Sequence, residues 1–155
     1  MRATAGAVEP VDRGAGVARR RCPRCKAGLL EATAVDVTRR IGGQEVRARA
    51  AAMICAGCGT IVHQRRELQR IELEIAARLV EEGRRDGEVL RYVRRALGLK
   101  GKDVARLLEV CAETVSRREQ GKVPVDRATL VVLRQMVLDR LRGDGSTESF
   151  LASLK

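Results

Sequence analysis

The sequence predicts an α+β protein of two small domains, a β-sheet domain followed by an all-α domain. Three observations carry this prediction for the 155-residue chain. Two Cys-x-x-Cys pairs, at 22–25 and 55–58, bracket two segments of extended character. From residue 65 onward apolar residues recur at the 3,4 spacing of helices. Glycines then divide that helical stretch into short pieces.

Residues 1–20 are rich in Ala, Gly and Arg without a hydrophobic period and read as a disordered basic arm. Residues 21–63 form the expected β domain. Leu30–Thr38 and Glu45–Ala50 read as strands, with Ile41-Gly42-Gly43-Gln44 as the turn of a hairpin.

The pairs Cys22-Pro-Arg-Cys25 and Cys55-Ala-Gly-Cys58 suit a tetrahedral metal shell. Two residues between cysteines let both thiolates of a tight turn reach one ion, and two such turns fill four positions. One structural Zn²⁺ per chain is expected, with no open position for catalysis. A domain of about 45 residues also needs such a staple, because its own core is too small. Two disulfides, or four buried thiols, are the competing reading of the same residues. Gly59 follows the second pair directly, whereas the first pair has its glycine at Gly28. His63 is either a substitute ligand or a solvated side chain. Cys111 has no such partner and reads as a small structural residue.

Residues 64–87 read as a linker helix over 65–82, with Leu68, Ile71, Ile75 and Leu79 on one face, ended by Gly83 and a hinge at Arg84–Gly87. Residues 88–142 hold several helices. Leu90–Leu99 is the first, stopped at Gly98, and Lys102–Leu108 is the second, with Val104, Ala105 and Leu108 inward. A turn at Glu109-Val110-Cys111 leads to a third, Ala112–Glu119, and a longer helix runs from about Arg127 to Arg142. Residues 143–155 read as a flexible tail.

On the third helix, Ala112, Glu113, Ser116 and Arg117 lie opposite the core position Val115. In a helix-turn-helix, the outward face of the last helix offers its first turns to base edges in the major groove. Arg117 can contact a guanine bidentately or reach a phosphate, and Glu113 can accept from a cytosine amino group or remain solvated. Lys100, Lys102 and Lys122 add phosphate attraction. In the long helix, Leu130, Leu133, Val137 and Leu141 make one apolar stripe. Val131, Val132, Met136 and Leu138 widen it beyond one core contact, so a homodimer is expected with Val131, Met136 and Leu138 at its interface.

Charge agrees with an anionic partner. The net charge is +11, and both residues 1–63 (+6) and residues 84–142 (+7) are basic. With one Tyr, one Phe and no Trp, there are few rings on which to stack single-stranded bases, so duplex DNA is favoured. No apolar run approaches a membrane span and no secretory signal is evident, so a cytoplasmic protein is expected. No nucleophile–base pair, carboxylate dyad or phosphate loop stands out, which argues against an enzyme.

Gly98-Leu99, Val104-Ala105 and Val115-Ser116-Arg117-Arg118-Glu119-Gln120-Gly121 resemble the Cro/repressor (XRE) helix-turn-helix pattern over about 50 residues. That resemblance implies an ion pair between Arg94 and Glu119. Lys100-Gly101 stands where the pattern opens its second helix with Thr-Gln, and Arg118 where it has an apolar residue.

A four-cysteine domain followed by this helix-turn-helix resembles the MqsA-like antitoxins from residue 22 to about 140. The resemblance implies a zinc domain that binds a ribonuclease toxin, and a C-terminal dimer that represses its own operon at a palindromic operator. A stand-alone zinc-containing regulator without a toxin is the nearest alternative, and a protein- or RNA-binding zinc-ribbon adaptor the next. The basic residues of 1–63 also leave open a second DNA contact.

Overall fold

The computed structural model describes residues 20–153. The basic arm read over 1–20 lies, apart from Arg20, outside these residues, as do the last two residues of the tail. Among the described residues, three antiparallel strands and six helices follow in order, an α+β composition.

Strand β1 (Leu30–Ile41) pairs with β2 (Gln44–Cys55) along its whole length, from Leu30 opposite Cys55 to Ile41 opposite Gln44. Gly42 and Gly43 join them at φ 57° and 74°, the left-handed pair a tight two-residue hairpin requires. Both strands run further than their β-branched content suggests. Ala51 and Ala52 at the far end pair with Ala34 and Thr33, so cross-strand bonding overrides weak local preference. A third strand, β3 (Ile61–His63), pairs with the end of β2 and was not foreseen, because three residues are too few to show a period.

Alternation places Val37, Ile41, Val46 and Ala50 on the buried face of the hairpin. They belong to the same continuous core as Ile71, Ile75, Leu79, Leu90, Val93, Leu133 and Val137 from the helices. The sheet and the helical part therefore share one core at the turn end of the hairpin.

Helix α1 (Arg65–Glu81) is central, where a linker helix was expected. It packs on α2 (Gly87–Ala96), on α5 (Arg127–Arg142) and on β2. Leu73, Ala76 and Ala77 are buried beside the anticipated stripe of Ile71, Ile75 and Leu79, so more than one face is covered.

The expected hinge is also ordered. The Asp86 carboxylate accepts from Val89 N at 3.0 Å and caps α2. The helix ends at Gly98 (φ 74°), with Leu99 N bonded to Arg94 O and Gly98 N to Arg95 O, as in a Schellman closure.

Helix α3 (Gly101–Leu107) and α4 (Ala112–Glu119) are joined by residues 108–111, where Glu109 takes φ 52°. Asp126 caps α5 through Thr129 N at 2.7 Å.

The tail forms a helix, α6 (Ser146–Ser153), in place of the flexible segment read there. Asp139, 1% exposed, anchors it by accepting from Thr147 N at 2.9 Å and Ser146 Oγ at 3.2 Å.

Candidate metal centre and nucleic-acid interface

Two turns of the same shape face each other at the open end of the hairpin. In the first, Lys26 N donates to Cys22 O at 2.9 Å; in the second, Gly59 N donates to Cys55 O at 2.9 Å. The residue after each pair is left-handed, Gly59 at φ 69° and Lys26 at φ 58°. Lys26 thus takes the position that a glycine holds in the other turn.

All four Sγ atoms lie within 4.8 Å of one another. Cys22 and Cys58 are 3.7 Å apart, and Cys25 and Cys55 are 3.6 Å apart. A tetrahedron with metal–sulfur bonds of about 2.3 Å has edges of about 3.8 Å, whereas a disulfide needs about 2.05 Å. The cysteines are free thiols, so the disulfide alternative is set aside and the donor set fits Zn²⁺.

Backbone N–H groups point at the sulfurs: Arg24 N at Cys22 (3.4 Å), Gly28 N at Cys25 (3.3 Å) and Gly57 N at Cys55 (3.4 Å). Such donors favour thiolates. The Thr60 hydroxyl, 3.2 Å from Cys58 Sγ, and its amide lower that thiol to about 6. The Gly28 and Ala27 amides lower Cys25, while burial pushes Cys55 up to about 11. Cys22, Cys25, Cys55 and Cys58 would hold such a cation, whose positive charge would keep all four as thiolates.

His63 is exposed and lies outside the four-sulfur cluster. One neighbour of the site, Thr60, gives no signal in the sequence. At Gly28 a Cβ would stand 2.5 Å from Cys55 Sγ and 3.0 Å from Gly57 N. The offset of this glycine from the first pair is visible in the sequence; the contact that requires it is not.

In the helical part, Val115 is buried while Ala112, Glu113, Ser116 and Arg117 are exposed on the other side of α4. Ser116 Oγ accepts from Gln120 Nε2 at 3.1 Å. Lys100, Lys102 and Lys122 are exposed. Among the described residues, no hydrogen bond or ion pair holds the side chains of Lys102, Arg117 or Lys122.

Arg94 meets Glu119 through Nε–Oε1 at 2.5 Å and Nη2–Oε2 at 3.1 Å, and also donates to Leu99 O at 2.8 Å. Arg118 pairs with Asp126 at 2.7 Å and donates to Thr129 Oγ1 at 3.1 Å. An arginine therefore spans α4 and α5 at a position where an apolar contact was the pattern. On α5, Val131 is 54% exposed, Leu138 is half-buried and Met136 is 2% exposed within the core.

No helix among the described residues is long and apolar enough to cross a membrane. No curated protein matches the chain. The family model described as the antitoxin component of bacterial toxin–antitoxin system, MqsA, matches residues 20–142, which include the four thiols and α1 to α5. With most of its length covered by that match, the chain belongs to the MqsA antitoxin family.

Proposed function

We propose that this antitoxin is a non-enzymatic, sequence-specific repressor that reads DNA with α3 and α4 as a helix-turn-helix and binds a toxin through its metal-bearing end. The exposed face of α4 is the observation that carries the DNA assignment: Arg117 is unpaired there, opposite buried Val115. Residues 88–142 are then the reading unit, residues 21–63 the zinc-bearing part, and residues 64–87 the element packed between them. Arg117 and Glu113 face bases, Ala112 and Ser116 approach the groove, and Lys100, Lys102 and Lys122 attract phosphates.

A homodimer through α5 sets two such faces about one DNA turn apart on a palindrome. Val131 and Leu138 are its natural contacts, since Met136 is spent inside the chain. At the metal end, Leu29 (41% exposed) and Ile61 (45%) present apolar surface, and β1 and β3 are the edge strands of the sheet, with β1 meeting residues 20–21 only at its start among the described residues. Both features suit a protein partner. The family match supports a toxin as that partner.

The test uses the full-length chain and the product of the adjacent small gene. The wild type is expected to bind a palindrome in its own promoter with a steep salt dependence and to co-purify with that product. Ile61→Asp is expected to lose the product and keep the DNA, and Arg117→Ala the reverse. DNA binding without any neighbouring partner favours a stand-alone regulator, and partner binding without DNA favours an adaptor.

A further inference from the structure

The tip of the β1–β2 hairpin is gripped by the chain that leads into α2. The Gly42 amide donates to Glu88 Oε2 at 2.5 Å. Arg84 donates from Nη2 to Ile41 O at 3.0 Å and from Nη1 to Gln44 Oε1 at 3.3 Å. The Arg84 side chain is only 13% exposed, and its Nη2 is held in turn by Asp86 Oδ2 at 3.0 Å. Asp86 is also the residue that caps α2, so one carboxylate both starts the helix and aims the arginine. The approach is close: a Cβ on Gly42 would stand 2.0 Å from Arg84 Nη2 and 2.9 Å from Asp86 Oδ1, so the arginine would have to move aside.

The other side of the same turn is equally close to α4. A Cβ on Gly87 would stand 2.2 Å from Arg118 O and 2.7 Å from Glu119 O. The first turn of α2 is therefore pressed between the hairpin tip and the C-terminal end of α4. Further along α2, Arg91 and Arg94 both hold Glu119 of α4. Behind this contact, Glu72 of α1 takes Arg39 of β1 and the Tyr92 hydroxyl of α2, so hairpin and helices share a second polar junction.

The geometry points to Arg84, Asp86 and Glu88 as a latch that couples the hairpin to α4. These are positioning residues: they touch neither the thiols nor the exposed face of α4. A partner that bends the hairpin or takes the Gly42 amide competes with α2 for it. By linkage, if a ligand on α4 steadies the hairpin tip, a ligand on the tip favours the α4 ligand by the same factor. The regulatory consequence rests on the DNA-reading role proposed for α4; the latch itself does not.

Hydrogen exchange on the full-length, metal-loaded protein tests it. Wild type is compared with Glu88→Ala, Arg84→Ala and the double variant, each with and without promoter DNA. Loss of a hydrogen bond to a charged acceptor should speed Gly42 exchange about tenfold or more. Exchange in the last turn of α4 should rise with it, while the thiol turns keep their protection. Glu88→Gln, which retains an acceptor oxygen, should restore most of the protection. DNA should slow exchange over residues 42–44 in the wild type and not in the double variant, although the double variant still binds it.

Tip exchange within about twofold of wild type in both single variants overturns the latch. So does equal protection of the tip by DNA in wild type and double variant. If no promoter fragment binds either protein, the DNA-reading role falls, and the exchange rates of the free chains still decide the latch.

Discussion

Around the thiols, residues 20–30 and 52–63 contain only three buried side chains: Cys22, Ala52 and Cys55. In the helical part, Ile71, Ile75, Leu79, Leu90, Val93, Leu133 and Val137 have no exposed surface at all. One hairpin thus has two differently supported ends. Its turn end contributes Val37, Ile41, Val46 and Ala50 to the common core, and its open end depends on what the four sulfurs hold. A structural ion can replace a core where too little apolar surface is available, but only locally. An open end supported in this way is expected to come apart while the rest stays folded, an asymmetry that suits the partner contact proposed for that end.

Removing the metal should separate the two ends most strongly. Purified protein under reducing conditions is expected to carry one zinc per chain. Chelation should abolish amide protection over residues 22–29 and 55–63 and leave α1 and α5 protected, as read by hydrogen exchange. A metal-free protein with ordered thiol turns contradicts the account. The converse experiment is Leu133→Ala. Truncating a fully buried leucine should cost about 2–5 kcal/mol in denaturant unfolding. Ile61→Ala at the exposed metal end should stay within about 0.5 kcal/mol of wild type. Similar losses in the two variants would mean that the ends are not supported differently.

What the sequence could announce was local. Paired cysteines with two residues between them, Gly42-Gly43 between extended runs and Gly98 after an apolar stripe are each read within a few residues, and the structure uses them. What it hid depends on distant partners. Arg84–Gly87 reads as a hinge because two arginines and a glycine look unstructured, yet Asp86 finds Val89 and Arg84 finds Ile41. Helix α1 reads as a linker because its second buried face includes two alanines, which carry little periodic signal. The anchoring of α6 needs Asp139, seven residues before Ser146 and on another helix. Met136 belongs to a stripe that the sequence can assign to the core or to an interface, and only packing separates them.

Arg117→Ala tests whether the well-packed helical part reads DNA through the exposed face of α4. Its cost on a specific site should be about 1–3 kcal/mol, with relaxed sequence preference. Lys102→Ala and Lys122→Ala should weaken binding to every sequence and lower the salt slope by about 1 each. Competition binding on specific and random duplexes at several salt concentrations measures both effects. Equal losses on the two duplexes for Arg117→Ala would assign it to phosphate contact instead.

The smallest expected effect concerns Glu67, which joins the two parts near the metal end. Its Oε1 accepts from Ala51 N of β2 at 2.9 Å, and both its oxygens receive Arg70. The Arg70 hydrogen bonds lower its carboxyl to about 2 against the cost of burial, with the Ala51 amide contributing. An unfolded glutamate titrates near 4.3. A carboxyl lowered on folding adds stability above the unfolded value and loses it as pH falls through the folded one, here between about 5 and 2. Because Arg70 is 46% exposed, solvent screening limits the contribution to about 1 kcal/mol or less. Denaturant unfolding of wild type and Glu67→Gln at several pH values should show that difference near neutrality and its disappearance toward pH 2. A difference that persists unchanged at low pH would assign the effect of the substitution to packing at the Ala51 contact, with no part for the carboxylate charge.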